Sequence, residues 1–358
     1  QPLRAAADRA AGGDGLELSK EVTANGSGYT VHLEAYTTGT VTTTTSIAPC
    51  DIVLVLDQSG SMAYNFDGNE TSTDSARRQY AMKQAVNTFI EAVADKYNAE
   101  KSDHRIAVVT FGTNASTLMD WTLVTPAETD TAESPSGETA LKAKINGLPS
   151  EPEGATNVAD GMRSAQALMQ GDSGYTGTNT KRQKVVILFT DGVPTKQSDF
   201  DTTVANGAIQ SAKALKDAGA TVYSVGIFNG ANPEQLYGDS GFKYNSNGQV
   251  RSYWASFSWW GIGDVKNYDI PAGNRFLNYI SGNFPDATEI GIQQYDSSFI
   301  GIGNYGWQIT RNFAREQSNY YLTANDSASL SKIFTTISEN IGSANIDLGS
   351  ETVIKDIV

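Results

Sequence analysis

The chain has 358 residues, 39% of them hydrophobic and 18% charged, which is enough to build a substantial core. A formal net charge of −14 argues against nucleic acid, whose phosphates need basic stripes, and against docking on anionic lipid. No apolar run approaches the roughly 20 residues that span a bilayer, so no membrane insertion is expected. The one cysteine, Cys50, excludes an internal disulfide framework. His32 and His104 are the only histidines, too few and too isolated for a Ser-His-Asp hydrolase or a His-rich zinc site.

In chain order, residues 1–16 read as an Ala-, Gly- and Arg-rich tail. Residues 17–49 read as β-structure: Leu16, Leu18 and Val22 lead to a turn at Asn25-Gly26, and Tyr29, Val31, Leu33 and Ala35 alternate with polar neighbours. An isolated hairpin is marginal in water. Residues 344–358, with a strand over Glu351–Val358, are therefore expected to complete the same β-domain. Between these ends, residues 50–343 follow a different pattern. Asp51–Leu56, Ile106–Phe111, Val185–Phe189 and Thr221–Phe228 are continuous β-branched runs, the mark of parallel strands buried on both faces. Apolar stripes predict helices through Met82–Tyr97 and Leu330–Ile341, with shorter ones over 157–170, 204–218 and 275–281. Alternating strands and helices predict an α/β fold, a doubly wound, mostly parallel sheet flanked by helices. Residues 232–318 read as a Gly- and aromatic-rich insertion with one helix. Within it, Trp254, Trp259 and Trp260 are candidates for a glycan- or protein-binding platform, although a local cluster that orders the insertion is the preferred reading.

The chemistry concentrates at strand ends. The first buried strand runs into Asp57-Gln58-Ser59-Gly60-Ser61, a turn with oxygen side chains at alternate positions. A third buried strand ends in Thr190-Asp191-Gly192, and Gly154-Ala155-Thr156 precedes a helix. Asp57, Ser59, Ser61, Thr156 and Asp191 together offer two carboxylates and three hydroxyls. This is a hard, all-oxygen set suited to Mg²⁺, which takes octahedral oxygen at about 2.0–2.1 Å. Mn²⁺ is an alternative and Ca²⁺ a poorer fit. Neutral hydroxyls leave the ion electrophilic, with a position for an acidic group of another molecule. No histidine or further carboxylate accompanies the motif as a base, so no enzymatic activity is expected. The pair Arg77-Arg78 is expected to be solvated, His104 to lie at the surface, and Cys50 to pack as a small apolar residue.

Those three segments, in order, resemble the metal-ion-dependent adhesion site of von Willebrand factor A domains, over about residues 50–343 without the aromatic insertion. The resemblance implies binding of a protein through an acidic residue and coupling to movement of the last helix. The flanking strands, beginning at Leu18-Ser19-Lys20, are further similar to Gram-positive pilus-tip and cell-wall adhesins. In those proteins the A domain is inserted into a β-sandwich stalk that often carries Lys–Asn isopeptide bonds, and Lys20 and Glu34 stand where the lysine and the promoting acid are expected. The implied protein is an extracellular, wall-associated adhesin with a matrix protein or glycan ligand and pilus backbone subunits as further partners. Any signal peptide is expected upstream of Gln1 and any wall anchor beyond Val358. An intracellular A-domain scaffold of an ATP-driven chelatase or metal-insertion complex is the alternative, although the chain contains no Gly-x-x-x-x-Gly-Lys-Ser/Thr motor motif of its own.

Overall fold

A computed structural model describes residues 8–12, 16–25, 28–37, 48–100, 103–171, 182–196, 200–235, 243–244, 250–251, 269–296 and 305–341. The chain divides into two compact units, residues 1–45 and 46–358. In the first, β1 (Asp8–Gly12), β2 (Leu16–Asn25) and β3 (Gly28–Thr37) form an antiparallel sheet in that order. Residues 8–12, within the stretch read as a tail, pair with β2 from Asp8 opposite Lys20 to Gly12 opposite Leu16. The hairpin register sets Asn25 opposite Gly28, Lys20 opposite Leu33 and Ser19 opposite Glu34, so Lys20 and Glu34 belong to adjacent rungs. The strand expected over Glu351–Val358, and Trp254, Trp259 and Trp260, lie outside the described residues.

The second unit opens with β4 (Cys50–Asp57), α1 (Arg78–Glu100), β5 (Arg105–Phe111), β6 (Ala115–Leu123), α2 (Gly137–Asn146) and α3 (Val158–Gln170). It continues with β7 (Gln183–Thr190), α4 (Thr202–Asp217), β8 (Ala220–Gly226) and the two-residue strands β9 (Lys243–Tyr244) and β10 (Val250–Arg251). It closes with α5 (Asp269–Ile280), the hairpin β11 (Ile292–Asp296) and β12 (Tyr305–Ile309), β13 (Tyr321–Thr323) and α6 (Ser327–Asn340). The main sheet runs β13-β8-β7-β4-β5-β6, parallel except for β6 at the edge. This is the doubly wound sheet expected from the continuous apolar runs.

β4 shows why the runs are continuous. Val53 and Val55 pack with α3, α4 and α5 on one face, while Ile52, Leu54 and Leu56 pack with α1, α2 and α6 on the other, all fully buried. α6 is held by Phe334, whose ring meets Phe89 edge-on at 5.6 Å and Phe189 at 6.2 Å.

The interval 232–318, read as an insertion, contributes to the core. Every residue from 271 to 281 is buried, and the asparagines of α5 satisfy loop backbone. Asn274 donates to Gly230 O (2.9 Å) and accepts from Asn232 N (2.8 Å), and Asn278 donates to Pro233 O (2.9 Å). Such residues look like loop residues in sequence, yet here they replace the hydrogen bonds that buried loop backbone would otherwise lose.

Two surface expectations are corrected. His104 is buried: its Nδ1 accepts from Cys50 N at 3.0 Å, because it sits where the amino ends of the strands converge. Arg77 and Arg78 are also buried, Arg77 pairing with Asp74 and Glu151. Cys50 is fully buried, as expected.

Candidate functional site

β4 and β7 are adjacent and parallel, so both deliver their last residues to the carboxyl rim of the sheet. Asp57 is the final residue of β4 and Asp191 follows β7 directly. Asp57 is fully buried. Its Oδ1 accepts from Ser59 N (2.7 Å) and its Oδ2 from Thr190 Oγ1 (2.6 Å). Ser59 Oγ lies 3.2 Å from Ser61 Oγ, and Ser61 Oγ donates to Asp191 Oδ1 at 2.9 Å. Direct contacts thus join Asp57, Ser59, Ser61 and Asp191.

Thr156 is buried and reaches the rim through backbone. Gly60 N donates to Gly154 O (3.0 Å), and Asn157 N to Gly112 O (2.8 Å), tying its loop to the turn after β4 and to the end of β5. Gly154 has φ +105°, and a Cβ there would stand 2.6 Å from Thr113 Oγ1, so the loop's approach requires glycine. Gly192 is similarly constrained, with φ +138° and the Phe228 ring 2.9 Å from a Cβ position.

The two carboxylates feel one another. Burial first, then the charge of Asp191, push the Asp57 carboxyl up to about 7, against the opposing hydrogen bonds from Ser59 and Thr190. Arg78, the first residue of α1, donates from Nη1 to Asp191 Oδ2 at 2.8 Å, and the two side chains are only 5% and 2% exposed. Sequence reading missed this contact. A signal was present, since a cation at a helix N-terminus opposes the helix dipole and needs a local anion to hold it there. Thr190 was also missed as the hydroxyl that fixes Asp57.

The donor set fits a hard divalent cation. Every side-chain atom directed at the cluster by Asp57, Ser59 and Ser61 is oxygen, and two mutually repelling carboxylates gain from a shared positive charge. Among the described residues no cluster of three or more His, Cys, Asp or Glu side chains is suited to a metal, so a cation held here would rely on hydroxyls as well as carboxylates. No helix of the described residues is long and apolar enough to cross a membrane.

An open, doubly wound sheet with an oxygen-lined rim at its carboxyl ends defines a class of α/β domain. The von Willebrand factor type A domain model matches residues 51–241, more than half of the chain, and the chain belongs to that family. Among solved structures, it is similar to the PilB minor pilin from Streptococcus sanguinis (TM-score 0.50, 14% identity, 94% of this chain and 77% of that one). Others are the pilus adhesin SpaC from Lactobacillus rhamnosus GG (0.47, 16%, 91% and 34%) and the vWF domain of the type V pili tip protein Mfa5 from Porphyromonas gingivalis (0.44, 15%, 82% and 97%). At these identities the likeness is one of fold. No curated protein matches the chain by sequence.

Proposed function

We propose that residues 50–343 form the cation-dependent binding head of a cell-surface adhesin. The observation that carries this reading is the run of contacts Asp57–Ser59–Ser61–Asp191 at the carboxyl rim, where two buried carboxylates repel each other. Asp57, Ser59, Ser61, Thr156 and Asp191 would hold Mg²⁺, or Mn²⁺ in its place. The ion would supply an electrophilic position for a carboxylate of a partner protein, such as a matrix protein. The reading assigns binding and not catalysis, because neither acid is free to act as a base. Asp57 is engaged by Ser59 and Thr190, and Asp191 by Ser61 and Arg78.

The extracellular setting and a pilus-subunit partner are the parts of the proposal that the strand-rich first unit and the fold shared with a minor pilin support. The test is binding to immobilised matrix proteins, including collagen and fibronectin, in Mg²⁺ and in EDTA. Binding is expected to be lost in chelator and in Asp57→Ala. Binding that persists at full strength in EDTA overturns the cation mechanism.

A further inference from the structure

Resting on that reading of the rim, we infer that Arg78 is a fixed counter-cation of the site. It restrains the site's affinity for a divalent ion, and it leaves the loaded site with a net positive charge that selects an anionic ligand. Three observations support this. Arg78 Nη1 meets Asp191 Oδ2 at 2.8 Å while Ser61 occupies Oδ1, so the guanidinium shares Asp191 with the cluster. Both side chains are almost wholly buried, where charges are weakly screened. The rest of the guanidinium finds little else: Nη1 and Nη2 reach Ser61 O and Phe66 O at only 3.4 and 3.5 Å, and the buried Nε has no hydrogen-bond partner among the described residues. Its best contact by far is Asp191.

The charge count gives the consequence. With an ion bound, Asp57 and Asp191 would both act as carboxylates; together with one guanidinium they carry one negative charge, so a divalent cation brings the set to one positive charge. Without Arg78 the loaded set would be neutral. A guanidinium beside the cation therefore weakens cation binding and strengthens anion binding, whereas a purely structural arginine would do neither.

The experiment is Mg²⁺ calorimetry on the full chain, wild type against Arg78→Gln and Arg78→Lys. Alongside it, acetate is titrated into Mg²⁺-saturated protein and followed by the amide NMR shifts of Ser59 and Gly60. Arg78→Gln is expected to bind Mg²⁺ roughly tenfold more tightly and to need several-fold more acetate, while Arg78→Lys, which keeps the charge, stays near wild type. An Arg78→Gln that folds only with Mg²⁺ also supports the proposal, since one cation then replaces another. Equal or weaker Mg²⁺ binding by Arg78→Gln overturns it and leaves Arg78 a clamp on the loop from Ser61 to Phe66. A variant that stays unfolded in saturating Mg²⁺ overturns it too. If the wild type binds no more Mg²⁺ than Asp57→Ala, the cation reading itself fails, and that failure is distinct from either of the others.

Discussion

The two ends of the central strands solve the same problem in opposite ways. At the amino end, one buried carboxylate, Asp51, lies between two guanidiniums: Arg105 at 2.8 Å and Arg182 at 2.6 Å. Arg182 also donates to Cys50 O and Asp103 O, and Arg105 stacks over the Trp121 ring at 5.0 Å. At the carboxyl end there are two buried carboxylates and one guanidinium, which pairs with Asp191, while burial first and then the charge of Asp191 drive Asp57 up. The chain meets the cost of burying charge with its own cations at the amino end, and leaves the carboxyl end short of one. That asymmetry, more than the presence of acids, is what supports the proposed cation at the carboxyl rim.

The contrast is broken most easily at Asp51. Asp51→Ala removes the carboxylate that two buried guanidiniums share and is expected to cost about 3–5 kcal/mol in urea unfolding. Asp57→Asn in chelator, which removes a repulsion, keeps an acceptor for Ser59 N and turns the second contact into an amide donor to the Thr190 hydroxyl, is expected to cost about 1 kcal/mol. Equal losses would erase the distinction between the two ends.

The amino end should also be the acid-sensitive one. Burial first, then Lys96 and Arg182, hold His104 down to about 4, opposed only by Asp103. The unfolded chain binds this proton near pH 6.5 and the folded chain does not. Stability is therefore complete above about 6.5 and falls as pH drops towards 4, by about 3 kcal/mol. His104→Gln, followed by denaturant midpoints across that window, should remove most of this slope; an unchanged slope would place the acid sensitivity elsewhere.

What was legible in the sequence followed from periodicity and strand ends. β4, β5, β7 and β8 announce themselves because burial on both faces demands unbroken apolar runs, and Asp57 and Asp191 stand out because each ends such a run. β6 does not: as an edge strand it mixes exposed and half-buried positions, including Asp120, and β13 has only three residues. Polar residues hid the rest. Arg78, His104 and the asparagines of α5 are all buried through partners distant in sequence, 113 residues away for Arg78 and Asp191. No local pattern encodes such pairs, so Arg78 and His104 read as surface residues, and the helix predicted over 275–281 gives no sign that the asparagines of α5 are buried. Only the helix-start position of Arg78 carried a warning.

Thr156 separates the sequence reading of the rim from the contact reading. The motif counts it as an equal ligand, yet each contact that joins the other four uses a side-chain oxygen of the set, whereas its own loop is drawn in through Gly60 and Gly154 backbone. Its hydroxyl should therefore matter to the cation and little to the fold. Thr156→Val keeps the volume and removes the oxygen, so in EDTA its unfolding free energy should stay within about 0.5 kcal/mol of wild type. Its Mg²⁺ affinity in calorimetry should fall, and Thr156→Ser should retain it. If Thr156→Val binds Mg²⁺ as the wild type does, the ligand set shrinks to the four contact-linked residues, and the closeness of the Gly154 loop is a matter of packing.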